Sequence, residues 1–179
     1  MTLKVHTRAD LERAGVLVPP NPAHLSVDPW GDRAGITWHW EGVFENTPKP
    51  PPALQRLTQI QRDHMEGRGY GDIAYNAAFD VDGNLYGLRD PHWTGAHASS
   101  NGNIANVTTL GICFLEDARG LTAAGLGPME LAVFFFELRY KHKPTQRGHR
   151  DWQAFGGIAT TCPGDQLEAF VRFLEGLHA

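Results

Sequence analysis

Residues 74–90, AYNAAFDVDGNLYGLRD, hold the stretch of sequence that fixes the fold class. The segment has two strand-like halves, and Asp82 and Gly83 join them. Asp-Gly is a favoured pair in tight hairpin turns, because glycine adopts positive φ at little steric cost. The segment therefore predicts a β-hairpin over residues 74–88.

Two further strands are predicted on either side of this hairpin. GITWHW at 35–40 alternates, which places its three large apolar side chains on one face and Thr37 and His39 on the other. TLGICFL at 109–115 is a short, continuous apolar run, as is typical of a buried central strand. His39 is therefore expected to point away from a large aromatic face.

Three segments show the composition and spacing of helices. Residues 53–66 have apolar positions close to a helical period, and residues 165–177 are amphipathic. Residues 128–140 begin with proline, which suits a first helical turn, and are apolar enough to indicate burial on more than one side. Strands and helices in this order predict an α/β fold with a central mixed β-sheet flanked by helices.

The length of 179 residues and the hydrophobic content of 41% suit one compact domain. Residues 1–34 are rich in proline and glycine after a short helical stretch, and we expect them to form an N-terminal arm that packs on a catalytic domain at 35–179. The sequence has no internal repeat that would mark a further boundary.

Composition argues against several partners. The net charge of −4 and the pI near 6.1 leave no basic excess for nucleic-acid binding. The chain has no run of about 18 apolar residues and no signal-peptide pattern at its start. We therefore expect no nucleic-acid partner, no membrane anchor and synthesis in the cytoplasm.

His39, His149 and Cys162 have side chains that suit a zinc ion. Three protein ligands leave one tetrahedral position for water or substrate, which is typical of a catalytic zinc site. Their separations match no compact zinc-binding motif, and the chain has nine histidines. On residue type alone, each of them is more often structural or exposed than a metal ligand.

Five motifs in a consistent order carry a family resemblance over residues 35–165. The chain resembles the zinc-dependent N-acetylmuramoyl-L-alanine amidases of the superfamily that contains phage-lysozyme-type amidases and peptidoglycan recognition proteins. The motifs are ITWHW at 36–40, IQRDHMEGRGYGDIAYNAAFDVDGNLYGLRD at 60–90, GAHASSNGNIANVTTLGICF at 95–114, RGHRDW at 147–152 and TTCPGD at 160–165.

The resemblance implies a zinc cofactor held by His39, His149 and Cys162. It also implies hydrolysis of the amide between the lactyl group of N-acetylmuramic acid and L-alanine by a zinc-activated water. Tyr75 and, after it, Thr160 are the residues expected to donate a hydrogen bond to the oxyanion.

Other residues are expected around this centre. His97, Trp93 and Asn106 lie in or beside the polar loop GAHASSNGNIANV, which we expect to form a wall of the substrate groove. His97 is not expected to bind the metal. Asp151 follows His149 closely and either orients a ligand histidine or caps the turn, with capping slightly favoured.

The chain departs from the family pattern at three places. Trp40 follows the first ligand, where a second histidine or a small residue is frequent, and Thr160 stands where some phage enzymes have lysine. Residues 108–110 are Thr-Thr-Leu, where Asn-Ser-Ile-like sequence is commoner. No glutamate matches the position of the family's general base.

The resulting expectation is a monomeric phage endolysin, or its catalytic domain, that acts on bacterial peptidoglycan. It would be made in the host cytoplasm and reach the wall once a holin has permeabilised the membrane. Two alternatives stay open, a non-catalytic peptidoglycan-binding module and an unrelated zinc hydrolase. Non-catalytic members usually replace the ligand cysteine, whereas Cys162 is present here.

Overall fold

A computed structural model describes residues 4–29, 31–42, 50–115 and 123–177. Across these residues a single mixed sheet has the strand order β1-β4-β3-β5-β2-β6. Only β3 and β4 pair antiparallel within it, and the other neighbours are parallel. The strands are β1 (Lys4–His6), β2 (Gly35–Trp40), β3 (Ala77–Phe79), β4 (Asn84–Gly87), β5 (Thr109–Phe114) and β6 (Thr145–Gly148).

Helices cover both faces of the sheet. One apolar cluster joins the sheet to α4 and α5, and a second joins the opposite face to α1 and α2. The α-helices are α1 (Arg8–Arg13), α2 (Ala53–Arg62), α3 (Ile104–Thr108), α4 (Ala123–Tyr140) and α5 (Asp165–Leu177). Shorter helical turns lie at Pro22–His24, Asp63–Gly67, Asn101–Asn103 and His149–Phe155.

The hairpin and the central strand are confirmed. β3 and β4 pair antiparallel about the turn at residues 80–83, within the predicted span of 74–88. β5 lies between β3 and β2, so it is an interior strand with parallel neighbours on both sides. The predicted mixed α/β domain with a central sheet flanked by helices is therefore correct.

Strand β2 alternates as its sequence predicted. Ile36, Trp38 and Trp40 pack in the cluster that includes α4 and α5. His39 lies on the opposite face, and only 1% of its surface is exposed. The register sets Trp38 opposite Gly148 of β6, so His149 follows directly at the edge where β2 ends. Parallel pairing thus brings two histidines 110 positions apart to one edge of the sheet.

The prediction for the helix at 128–140 is wrong in two respects. The helix begins at Ala123 and Pro128 lies inside it. Only the side of the helix that faces the sheet is covered. Phe134, Phe135 and Leu138 lie on the opposite side and are exposed. Its buried side chains follow a single stripe formed by Met129, Ala132, Val133 and Phe136.

The described part of the N-terminal arm is integrated with the rest of the domain. β1 forms the edge of the sheet by parallel pairing with β4, and Leu11 and Leu17 are buried in the second cluster. The boundary between residues 34 and 35 stays a prediction. Among the described helices, none has the length and hydropathy needed to cross a bilayer.

Candidate metal centre and groove

The His39 ring lies between two groups at the end of β2. Its Nδ1 is 3.7 Å from the Cys162 Sγ, and its Nε2 is 3.1 Å from the His97 Nδ1. The ring centroid of His149 is 4.5 Å away. One ring nitrogen of His39 thus faces the predicted ligand cysteine, and the other forms a hydrogen bond with His97.

His149 begins the helical turn that follows β6, and this turn is tied to the sheet. Asp151 Oδ2 accepts a hydrogen bond from the Gly148 N–H at 2.9 Å, and Arg172 forms an ion pair with the same carboxylate at 2.6 Å. Trp152 Nε1 donates to Thr37 Oγ1 on β2 at 2.9 Å. Asp151 therefore caps the turn, and its contribution to His149 is to fix the backbone beneath it.

Cys162 is buried and held by backbone contacts. The Trp40 N–H lies 3.4 Å from its Sγ, and the Arg150 N–H donates to its carbonyl oxygen at 2.8 Å. A backbone N–H directed at sulfur stabilises thiolate character. The contact also joins the cysteine to the end of β2, one residue after His39.

The donor set fits a zinc ion. The ligand atoms of His39, His149 and Cys162 all lie within 4.8 Å of one another. Zinc–nitrogen and zinc–sulfur bonds of usual length place neighbouring tetrahedral ligands about 3.5 Å apart, close to the 3.7 Å between His39 Nδ1 and Cys162 Sγ. Two imidazoles and a thiol are ligands that zinc prefers.

Burial sets the protonation of the three donors. It lowers the pKa of His39 well below its usual value, with smaller contributions from His149 and His97, and it lowers the pKa of His149. Both imidazoles are therefore neutral at pH 7, as metal binding requires. Burial also raises the pKa of the Cys162 thiol to about 12, so metal binding has to displace its proton.

Tyr75 precedes β3 and packs against the same histidine. Its ring centroid is 5.1 Å from that of His39 and 5.7 Å from that of His64. Burial raises the pKa of the Tyr75 hydroxyl well above its usual value, and the nearby cysteines raise it further. The phenol therefore keeps its proton at neutral pH and has a hydrogen to donate; its predicted role stays a prediction.

The cluster opens into a groove. A cavity of about 690 Å³ is lined by His149, by Thr160 and by much of the loop at 95–106. A second cavity of about 500 Å³ shares Tyr70 and Asn103 with it, so the two form one continuous depression, here called the groove. The cluster of His39, His149 and Cys162 thus reaches the groove through His149, and the groove is large enough for an extended ligand.

Thr160 borders both the groove and the cluster. Its Oγ1 accepts a hydrogen bond from the Cys162 N–H at 3.1 Å. The hydroxyl proton remains free for another acceptor, since a hydroxyl can accept and donate at once. Thr160 is therefore placed to donate a hydrogen bond into the groove beside Cys162.

The predicted substrate-binding residues differ in position. His97 is buried against His39 and lines the groove. Asn106 also lines it, but its amide bonds back to the loop, with Oδ1 accepting from the N–H groups of His97 and Ala98 and Nδ2 donating to the Ala98 carbonyl oxygen. Trp93 is not among the residues that line either cavity in the described part of the chain. Their contacts with substrate stay predictions.

Arg68 and Tyr70 line the groove and were not singled out from the sequence. They lie between α2 and β3, in the segment EGRGYGD. The sequence did contain a signal for these two residues. The loop places a cationic and an aromatic side chain among glycines, shortly before the predicted site residue Tyr75. Loops of this kind commonly carry binding residues.

The fold and the cluster together define a class: an α/β domain with a His-His-Cys cluster that could hold a metal ion beside a groove. No protein-family model matches the chain. Peptidoglycan recognition protein 1 of Mus musculus is 31% identical over 143 residues, which cover 76% of this chain and 72% of that protein. The chain belongs to the superfamily of peptidoglycan recognition proteins and N-acetylmuramoyl-L-alanine amidases.

Other relatives agree with this assignment. An N-acetylmuramoyl-L-alanine amidase of Sus scrofa is 29% identical over 121 residues, which cover 65% of this chain and 19% of that protein. The structure of Drosophila PGRP-LB superposes with a TM-score of 0.75 at 22% identity and covers 95% of this chain and 93% of its own. The structure of the N-acetylmuramoyl-L-alanine amidase LysC from Clostridium intestinale superposes with a TM-score of 0.65 at 19% identity. The superposition covers 97% of this chain and 98% of LysC.

Proposed function

We propose that this protein is a zinc-dependent N-acetylmuramoyl-L-alanine amidase that hydrolyses the amide between the lactyl group of N-acetylmuramic acid and L-alanine in peptidoglycan. The observation that carries the proposal is the convergence of His39, His149 and Cys162 within 4.8 Å, at a point where His149 lines the groove. Amidases among the relatives support the same reaction.

The three donors would hold the zinc ion through His39 Nδ1, a nitrogen of His149 and the Cys162 Sγ. When bound, zinc supplies Lewis-acid activation of a water and of the scissile carbonyl. The protein's own contribution is to hold the ligands rigidly, because each is fixed by a strand, a capped turn or backbone hydrogen bonds. A rigid centre limits the reorganisation needed during reaction.

Two hydroxyl groups act on the reacting carbonyl. Tyr75 keeps its proton and lies beside His39, so it donates a hydrogen bond to the oxygen that gains negative charge. Thr160 donates from the Cys162 side, where its proton is free. Donors placed before the reaction favour the transition state over the ground state, in which that oxygen is less charged.

The substrate would lie along the groove. A Drosophila PGRP-LB variant whose structure contains tracheal cytotoxin superposes with a TM-score of 0.73 at 22% identity. We propose that peptidoglycan fragments occupy the groove here in the same general manner, between the loop at 95–106 and residues 158–160. His97 and Asn106 line that path, whereas the predicted contact of Trp93 with substrate would lie outside the groove.

The biological setting that we propose is a phage endolysin, made in the host cytoplasm and acting as a monomer on the wall. Expression of the chain in the host with and without a holin tests the setting. Lysis only when both proteins are present is the expected result. Lysis by the chain alone, or no lysis with both, would contradict it.

The test of the activity is a joint measurement on purified protein. Zinc content is measured by metal analysis, and release of L-alanine amino termini is measured on purified peptidoglycan. Wild type is expected to hold about one zinc per chain, as a site with three protein ligands implies. Cys162→Ser and His149→Ala are expected to lose both zinc and activity.

His142→Ala is the matched control, because His142 is exposed and lies away from the cluster. This variant is expected to retain zinc and activity. Wild type that binds peptidoglycan without zinc and releases no amino termini would instead identify a recognition module. Hydrolysis of other amides but not of peptidoglycan would identify an unrelated zinc hydrolase.

A further inference from the structure

His97 has no part in the donor set, yet it contacts the one nitrogen of His39 that does not face Cys162. The His39 Nε2 is 3.1 Å from the His97 Nδ1, and the His97 Nε2 is 3.3 Å from the carbonyl oxygen of Thr109. The three groups form a hydrogen-bonded chain that runs from the backbone of β5 to a predicted metal ligand. All of these atoms are buried.

The chain of contacts has a fixed direction. A carbonyl oxygen only accepts hydrogen bonds, so the His97 Nε2 carries the hydrogen. In a neutral His97 ring the other nitrogen, Nδ1, then has a lone pair, and it accepts from the His39 Nε2 at 3.1 Å. The remaining nitrogen of His39, Nδ1, is then without hydrogen and faces the Cys162 Sγ at 3.7 Å.

The surroundings of His97 hold its ring in this position. A Cβ atom on Gly111 would lie 2.3 Å from the His97 Cγ, and one on Gly95 would lie 2.8 Å from the His97 Cδ2. Both positions are glycine, so the ring packs directly on the backbone of β5 at Gly111 and on the loop backbone at Gly95. From the other side, Asn106 Oδ1 accepts from the His97 N–H at 2.8 Å.

Asn106 is itself anchored from below. Arg33, which is fully buried, donates from Nη1 to the Asn106 carbonyl oxygen at 2.7 Å. The Gly95 N–H donates to the same oxygen at 3.1 Å. Asn106 is therefore held through its backbone carbonyl oxygen, and its side chain in turn holds the backbone of His97.

We propose that His97 is a positioning residue, which holds His39 in the tautomer whose Nδ1 is free to bind the metal. The inference deepens the proposed function and rests on it for its consequence in metal binding. Partners of this kind fix the tautomer and orientation of a ligand histidine, and their loss typically lowers metal affinity about 10- to 100-fold. The role differs from the substrate contact predicted from the sequence.

The first test needs no metal and no variant at His97. Two-bond ¹H–¹⁵N couplings in the metal-free wild type distinguish a protonated from a bare ring nitrogen, and His39→Gln assigns the signals of His39. Hydrogen on Nε2 of both His39 and His97 is the expected result. Hydrogen on Nδ1 of His39 would overturn the proposal, whatever the protein's activity.

The second test compares two variants of nearly equal shape. His97→Asn puts an oxygen acceptor near the place of the imidazole Nδ1, whereas His97→Leu puts a methyl group there. Zinc affinity is measured by competition with a chelating dye. His97→Leu is expected to lose about 10- to 100-fold in affinity, and His97→Asn is expected to stay close to wild type.

A merely structural role would lower the affinity of both variants alike, because both leave the same space unfilled, and that result would overturn the proposal. Gly111→Ala supplies a check that leaves His97 in the sequence, since the added methyl displaces the ring. It is expected to lower zinc affinity as His97→Leu does. If wild type binds no zinc, the proposed function fails, while the coupling measurement still decides the tautomer.

Discussion

Protonation of His64 is expected to destabilise the protein below about pH 6.5. His64 lies in the π-helical turn after α2, with 6% of its surface exposed. Its Nδ1 accepts a hydrogen bond from the Ala74 N–H at 3.0 Å. Burial, and next to it the charge of Arg68, lowers its pKa from 6.5 to about 4. The imidazole is therefore neutral in the folded protein at pH values where it is protonated in the unfolded chain.

Proton linkage gives the direction and the size of the change in the free energy of unfolding with pH. The folded-state pKa is below the unfolded one, so the stability is intact above pH 6.5 and falls as the pH drops toward 4. The unfolded chain binds almost no extra proton at this site at pH 7.5 and close to one more than the folded protein at pH 5.0. The corresponding loss in the free energy of unfolding is about 2 kcal/mol.

The assay is urea denaturation of wild type and His64→Asn at pH 7.5 and pH 5.0, with chelator present throughout. The asparagine Oδ1 takes the place of the imidazole Nδ1 as acceptor for the Ala74 N–H and does not titrate. The variant is expected to lose about 2 kcal/mol less than wild type over this pH interval. Because the comparison uses the pH-dependent part alone, any packing cost common to both pH values cancels.

His142→Asn serves as the control for loss of a histidine as such, since His142 is exposed. Its pKa is raised, mainly by the Lys143 carbonyl oxygen, so its protonation does not oppose folding in acid. Equal pH dependence in wild type and His64→Asn would refute the reasoning. It would mean that His64 becomes protonated without unfolding, and hence that the pocket beside Tyr75 is open to water.

Three further outcomes are expected. Leu174→Ala removes a fully buried side chain and should lower the free energy of unfolding by about 2–5 kcal/mol in urea titrations, whereas Leu177→Ala, in the same helix but 56% exposed, should change it little. Tyr75→Phe should retain zinc and lower the rate of amide cleavage about 10²- to 10³-fold, and an unchanged rate would remove the hydroxyl from the mechanism. Thr160→Val should lower the rate while Thr160→Ser restores it, since only serine keeps a donor at the hydrogen-bonded position beside Cys162.

Local sequence signals predicted the elements of the fold well. The Asp82-Gly83 turn and the alternation in β2 depend on neighbouring residues, and the structure has both. Apolar density misled the prediction for α4, because its composition does not reveal that the sheet covers only one of its sides. Phe134 and Phe135 therefore look like core residues in the sequence and are exposed in the structure.

The site was predicted only in part, because it depends on contacts between distant parts of the chain that local sequence does not reveal. His39, His149 and Cys162 have side chains that suit a zinc ion, but residue type alone does not single out these two histidines among nine. The family motifs identified them. The contact between His39 and His97 joins positions 58 apart and depends on the pairing of β2 with β5, which no local pattern encodes. The two glycines beneath His97 have meaning only once that pairing is known.

In the site that we propose, most of the metal donors and most of the groove lining come from different segments of the chain, with His149 contributing to both. The metal donors are fixed by β2, by the turn after β6 and by the backbone around Cys162. The groove is formed mainly by the loop at 95–106, which Arg33 and Asn106 hold in place without using any donor side chain. Under the proposed function, loss of one ligand would remove the reaction and leave most of the groove lining in place. A fold built in this way can serve hydrolysis or recognition, and the presence of Cys162 is the feature that supports our proposal of hydrolysis for this chain.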